Sequence, residues 1–373
     1  MSSIPTVSGA AGATGHFAEF CENPALFLSR AYAENGEVCQ FDLNGLRTVL
    51  LVSPEAHEAV FRAPDEQLNA AAAYQMMVPV FGAGVQYGAP PELERQQLKI
   101  QATGLRQDRM KLYAALIARE VEDWIAGWGT DGELDIYEAF TRLTLKTSTH
   151  CLMGTQFRNT LTDEFADLYQ ELEHSVSPAA LRDPAALGEV AARRDAARAR
   201  LAQLITAHIS ERRARGEVHA DMLQVYMDAT YDDGSPLSDD EIVGMVIWFM
   251  FAGHHTSGNT SSWTAVELAR HPQEAAVITA EIDALHANNE ELSRQALKEI
   301  PRLQDFIMEA LRLHPPLVTL TRRALADFSY KNYVIPRGCN VMVSPYVAHR
   351  LPDFFEEPER FDPTRAEPDN VFA

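Results

Sequence analysis

Apolar and polar residues change their spacing several times along the 373-residue chain, and each change predicts an element. Glu37 to Leu43 and Leu46 to Val52 read as two strands of a hairpin around Asn44-Gly45, a dipeptide that supplies the positive φ angles of a type I′ turn. Ser53-Pro54-Glu55 then reads as a helix start, with Ser53 as N-cap and Pro54 at the first helical position. From about Glu92 to Arg215 the pattern is mostly helical. It includes helices over Tyr113 to Gly127, Thr162 to Glu173 and Arg193 to Arg213, the last basic on its outer face.

The most informative stretch begins at Ser238-Asp239-Asp240-Glu241, which has capping-box spacing: a hydroxyl at the N-cap and a carboxylate three residues on. No proline follows until Pro272, so Ile242 to Arg270 reads as one helix of about 45 Å. Its first half is apolar on nearly every side, the pattern of a helix buried all round. Its centre, Ala252-Gly253-His254-His255-Thr256-Ser257-Gly258, breaks that pattern. In an isolated helix the ordinary reading is a local bend with satisfied polar side chains. The functional reading is a groove where something flat presses on the helix and protons are delivered.

Helices follow over Gln273 to Leu285 and Arg302 to Leu313, the second ended by His314-Pro315-Pro316. The second carries Glu309 and Arg312 on one face, which taken alone is a routine intrahelical ion pair. Leu317 to Thr321, Asp327 to Val334 and Asn340 to Ser344 read as short strands, with Pro336-Arg337-Gly338 as a turn. Pro358-Glu359-Arg360-Phe361-Asp362-Pro363 reads as a proline-bounded loop. No linker or repeat divides the sequence, so residues 1–373 read as one large, mainly α domain with small β-sheets.

Composition narrows the chemistry. The formal charge is −21, which argues against nucleic acid or an anionic membrane as partner. Cys21, Cys39, Cys151 and Cys339 stand far apart and form no CxxC pair, so neither a disulfide framework nor a zinc knuckle is expected. No signal sequence or transmembrane anchor is visible, and a cytoplasmic location is expected. Asp232-Asp233 and Asp239-Asp240 raise an isoprenoid cyclase as an alternative. Neither pair continues as Asp-Asp-x-x-Asp, however, and charge at a helix start explains them better.

Each motif alone is weak, but their order is specific. Ala-Gly-x-x-Thr in a long helix, Glu-x-x-Arg in a later one, a strand group and then Pro-Glu-Arg-Phe resembles the cytochrome P-450 family of haem-thiolate monooxygenases over essentially the whole chain. The resemblance implies haem b, molecular oxygen, and a ferredoxin or flavoprotein electron donor. It implies that Ala252 and Gly253 lie against the haem face, and that Thr256 with His255 serves oxygen activation as a proton relay. Glu309 and Arg312 would be locked by Arg360. Ala-Gly-His-His-Thr-Ser looks like the sterol 14α-demethylases, as does the segment Tyr74 to Tyr87. By that likeness a sterol-like hydrophobic substrate would meet Tyr74, Met76, Met77 and Phe81 on one side, Phe251, Ala252 and His255 on another, and Leu317, Val318 and Leu320 on a third. Haem propionates would meet Tyr74, Arg322 and either Arg95 or Lys99.

The family's haem-binding loop, Phe-x-x-Gly-x-x-x-Cys-x-Gly, does not occur in the sequence, and none of the four cysteines has its context. The expectation is a C-terminally incomplete chain, either a fragment of a working enzyme or a truncated product. The intact upstream motifs favour the fragment, inactive as written. Kept beside this reading are a P-450 acting on another hydrophobic molecule and a non-catalytic, haem-free remnant.

Overall fold

The structure is a computed structural model describing residues 2–160, 163–181, 185–287 and 296–365. In chain order its principal helices begin with α1 (Pro24–Asn35), α2 (Pro54–Arg62), α3 (Val78–Phe81) and α4 (Pro91–Gly104). Then come α5 (Gln107–Ala126), α6 (Ile136–Thr160), α7 (Asp163–Ser175) and α8 (Leu187–Arg215). The last are α9 (Asp239–Arg270), α10 (Pro272–Ala287) and α11 (Pro301–Leu313). The strands are β1 (Val38–Leu43), β2 (Leu46–Leu51), β3 (Leu68–Asn69), β4 (Leu320–Ala324), β5 (Phe328–Tyr330), β6 (Tyr333–Ile335) and β7 (Asn340–Val343). The chain is thus mainly α with small sheets, as expected. The helix expected from Thr162 is found from Asp163; Thr162 lies outside the described residues, as does the expected stop at Ala373.

The chain groups into two compact units, one of residues 1–77, 174–190 and 311–373, the other of residues 78–173 and 191–310. The first is built on a five-stranded sheet in the order β1-β2-β7-β4-β3. The β1–β2 hairpin closes at Asn44 (φ 55°) and Gly45 (φ 84°), the two positive φ angles its sequence calls for. Alternation sorts the strand residues to two faces. Val49, Leu51, Val341 and Val343 pack with Ala56 and Val60 of α2. Cys39, Phe41, Leu50 and Met342 pack on the other side with Phe27, Leu28 and Ala31 of α1. Ser53 caps α2 by accepting from the Ala56 N–H at 3.0 Å.

Two strand expectations need correction, and one strand was not foreseen. The strand expected at Leu317 to Thr321 begins only at Leu320, because its ladder partner β7 ends at Val343, opposite Leu320. The Ser344 hydroxyl instead donates to the Val318 carbonyl at 2.9 Å. The strand expected over Asp327 to Val334 folds into the β5–β6 hairpin, turning at Lys331 with φ 49°; no glycine marks that turn. The two-residue β3 was not expected, being too short to show a period.

The second unit is helical, and α9 lies along α6 at its centre. Two glycines allow close approach: a Cβ on Gly258 would meet Thr144 Oγ1 at 3.1 Å, and one on Gly244 would meet the Phe81 carbonyl oxygen at 2.2 Å. Helix α6 kinks at Gly154, with φ 81°, next to the Met153 carbonyl. Arg212, side chain fully buried, donates to that carbonyl at 2.6 Å and pairs with Asp221 at 2.6 Å. Arg212 therefore does not belong to the basic outer face expected of its helix.

Burial, helped by the Arg212 charge, holds the His208 imidazole below its ordinary value. Burial, with the charges of Arg312 and Arg350, does the same to His349, despite its hydrogen bond to the Arg312 carbonyl. Both pKa values are depressed on folding, so the stability they contribute is complete above about pH 6.5 and is lost as pH falls through their folded values. The melting temperature should therefore drop between pH 7 and 5, and His349→Asn should flatten that slope in a calorimetric series. An unchanged slope would remove His349 from the acid response.

Candidate active site

Helix α9 starts with the capping box read from its sequence: Glu241 N–H donates to Ser238 Oγ at 3.3 Å, and Ser238 N–H donates to Glu241 Oε2 at 2.8 Å. Ile242, Val243, Met245, Val246, Ile247 and Met250 are buried, while Ala252 is exposed and His255 and Thr256 are partly so. The helix thus opens one face at its middle. No break accompanies this. The hydroxyls of Thr256, Thr260, Ser262 and Thr264 each donate to the carbonyl four residues earlier, at 2.6, 2.8, 2.8 and 2.7 Å. With its proton held on the Ala252 carbonyl, Thr256 keeps its oxygen lone pairs for a second partner.

The two histidines face different surroundings. His254 is 2% exposed, with Nδ1 3.0 Å from Thr144 Oγ1 and Nε2 3.6 Å from Glu173 Oε1. His255 is more open, its Nδ1 4.0 Å from the same oxygen. Glu173 Oε1 is buried and, among the described residues, accepts no hydrogen bond. One carboxylate thus stands between two imidazoles. Tyr169, one turn earlier on α7, sets its ring edge-on to His254 at 5.8 Å. Burial and the Glu173 charge push its hydroxyl well above the ordinary range, so it stays protonated.

Neither Glu173 nor Thr144 was foreseen. A signal for Glu173 was available, since it continues the buried stripe Phe165, Tyr169 and Leu172 at helical spacing. An ionisable residue on such a stripe is an exception worth reading. Thr144 carried no comparable signal, because hydroxyls inside helices commonly satisfy themselves.

Of the other predicted site residues, Phe81 is buried with its ring 5.7 Å from Phe251, and Phe251 lies 6.2 Å from the His255 ring. These belong to the same unit as Thr256. Gly253 points elsewhere: a Cβ there would lie 3.7 Å from Ser148 Oγ on α6. Arg95 and Lys99 are exposed one turn apart on α4, and Arg95 pairs with Glu92.

In the first unit the Thr321 N–H donates to Tyr74 Oη at 3.0 Å, which brings Tyr74 beside the strand that carries Arg322. Arg322 lies over the Phe61 ring. Met76 and Leu317 are exposed, and Met77, Val318 and Leu320 are partly buried. Arg312 donates to the carbonyls of His349, Pro358 and Arg360 at 2.8, 2.7 and 3.1 Å. The expected lock by Arg360 is therefore made by its backbone. Its guanidinium is exposed and pairs with Glu357 and Asp362, since three carbonyl acceptors leave no need for a second cation. Glu309 is buried one turn before Arg312 on α11.

The family profile described as cytochrome P-450 matches residues 10–372. The chain belongs to the cytochrome P-450 family. It is 42% identical over 368 residues to the sterol 14α-demethylase of Mycolicibacterium vanbaalenii, covering 98% of this chain and 81% of that protein. The lanosterol 14α-demethylase of Rattus norvegicus is 36% identical over 359 residues, 95% of this chain and 71% of the relative. The sterol 14-demethylase of Arabidopsis thaliana is 32% identical over 370 residues, 98% and 76% respectively. The same fold occurs in the retinoic acid-bound cyanobacterial CYP120A1, with TM-score 0.87 at 22% identity, over 99% of this chain and 83% of that one.

As a cytochrome P-450 monooxygenase the chain is an enzyme of haem iron and molecular oxygen at the level of its family. No helix among the described residues is long and apolar enough to cross a membrane.

Removing the Thr144 hydroxyl tests the buried part of this site. Thr144→Val keeps the side-chain volume but leaves His254 Nδ1 without its partner, which should cost about 1–3 kcal/mol. Urea unfolding measures this, and an unchanged midpoint would show that the hydrogen bond contributes no stability.

Proposed function

We propose that this P-450 acts as a sterol 14α-demethylase, removing a sterol 14α-methyl group by three successive oxidations that end in C–C cleavage. The observation that carries the reading is sustained similarity to 14α-demethylases from a bacterium, a plant and a mammal over at least 95% of this chain. The site supports it: Phe81, Phe251 and the His255 ring form an aromatic edge beside the exposed Ala252, which suits a rigid apolar ligand. Met76, Met77, Leu317, Val318 and Leu320 are assigned to the same substrate. Both compact units belong to this one catalytic domain, and electrons come from a ferredoxin or flavoprotein.

Haem b is the implied cofactor. Within the helical unit Ala252 offers a small, exposed surface at the helix centre, and Arg95 and Lys99 are exposed cations; within the other unit Tyr74 and Arg322 are the proposed propionate donors, on the family likeness alone. The cysteines do not fit the axial position. Burial raises the thiols of Cys39 and Cys151 to about 12, and that of Cys339 upward as well. Cys39 and Cys339 are built into sheet cores, Cys151 lies within α6 with its thiol toward the Tyr113 carbonyl, and Cys21 is buried on a short N-terminal helix. A metal-binding thiolate needs the opposite environment. The residues of α7 and α9 therefore contribute substrate contacts and proton handling: Glu173 lies between His254 and His255, and Thr256 holds a hydroxyl on the open helix face.

Dialysis of the haem-loaded chain against lanosterol tests the substrate class. Phe81→Ala should weaken binding by roughly tenfold or more, since a lost ring leaves a cavity. Binding of fatty acids or small terpenoids without any 14α-methyl sterol would defeat the sterol assignment and leave the family intact. In a form of the protein that carries an axial cysteine, Thr256→Ala should raise oxygen consumption per product formed. Unchanged coupling would take Thr256 out of proton delivery.

A further inference from the structure

Every arginine of α8 lies within ion-pair reach of a carboxylate, but Arg198 places its hydrogen bonds elsewhere. Arg193 pairs with Glu171, Arg194 with Asp195, Arg200 with Glu164, Arg212 with Asp221 and Arg213 with Asp239. Arg198 instead directs its guanidinium at neutral backbone: Nε donates to the Val80 carbonyl and Nη2 to the Phe81 carbonyl, both at 3.1 Å. Its nearest carboxylate, Asp240, stands 3.6 Å away and is largely exposed. In a chain with net charge −21, a largely buried cation used this way is placed for geometry rather than for charge pairing.

The seat is built to receive it. Val80 and Phe81 end α3, a single turn whose last carbonyls have no helical acceptor role left to fill. Gly82 has φ +117°, and a Cβ there would come within 2.7 Å of Arg198 Nη2, so glycine leaves the space the guanidinium occupies. On the opposite helix Gly244 leaves space for the Phe81 carbonyl oxygen, which a Cβ would meet at 2.2 Å. The Phe81 peptide is thus held between Arg198 and α9, and its ring is delivered edge-on to Phe251, next to Ala252. The planar fork suits two adjacent carbonyls in a way a lysine cannot reproduce.

We propose that Arg198 is a positioning residue for ligand binding: by clamping the end of α3 it fixes the Phe81 ring, and so sets substrate affinity from outside the ligand contact itself. The ligand part of this inference rests on the sterol reading, whereas the clamp does not. Hydrogen exchange and lanosterol dialysis on the haem-loaded chain test the two parts. In Arg198→Ala, amide exchange over residues 78–88 should rise about tenfold or more while α9 keeps its protection, and the lanosterol Kd should rise roughly tenfold. Because the effect passes through Phe81, Arg198→Ala should add nothing in a Phe81→Ala background. Arg198→Lys keeps the charge beside Asp240 but loses the fork, and should restore protection only in part; it also serves if the alanine variant does not fold. Wild-type exchange over 78–88 in both variants, or an equal Kd change in both backgrounds, would overturn the proposal. If the wild-type chain binds no lanosterol, the sterol reading falls and the exchange result alone decides the clamp.

Discussion

Polar, ionisable side chains in the middle of a buried helix must find partners without unwinding it. That constraint organises the second unit. Burial of His254 obliges α6 to present Thr144 and α7 to present Glu173. The hydroxyls along α9 answer to their own helix, so an unbroken rod carries side chains that would otherwise pull it apart. What remains on the open face is the Thr256 oxygen and the His255 ring.

The sequence made the elements legible wherever a local signal was strong: Asn44-Gly45, Ser53-Pro54 and the Ser238–Glu241 box each fold as read. It failed where partners decide. The start of β4 depends on where β7 ends, and the turn at Lys331 uses a positive φ without glycine. At the site, His255 and Thr256 were legible from the motif, but the carboxylate between the histidines comes from a helix some eighty residues earlier. No spacing rule within the motif could supply it. Arg212 shows the same limit: its partners are Asp221 and a carbonyl beside the kink at Gly154.

Arginine serves here repeatedly as a backbone fastener. Arg312 gathers three carbonyls from the segment that follows β7, and Arg212 and Arg198 take one and two carbonyls in the other unit. Each replaces secondary structure where the chain has none to offer, because a buried carbonyl without a donor is expensive. That the Arg360 side chain stays outside its network follows from this role: the loop is held by what its backbone accepts.

The parallel pairing of β2 with β7 joins Thr48–Leu51 to Asn340–Val343. Residues 52–339 separate the two strands, and the entire helical unit is synthesised between them. On the ribosome that helical unit has all its segments available first, while the β1–β2 hairpin waits with an open edge for a strand made much later. Such long-range closure is slow and leaves the edge open to mispairing. The order of synthesis therefore makes the sheet, rather than the helices around the site, the part of the molecule whose maturation depends most on protection from other chains.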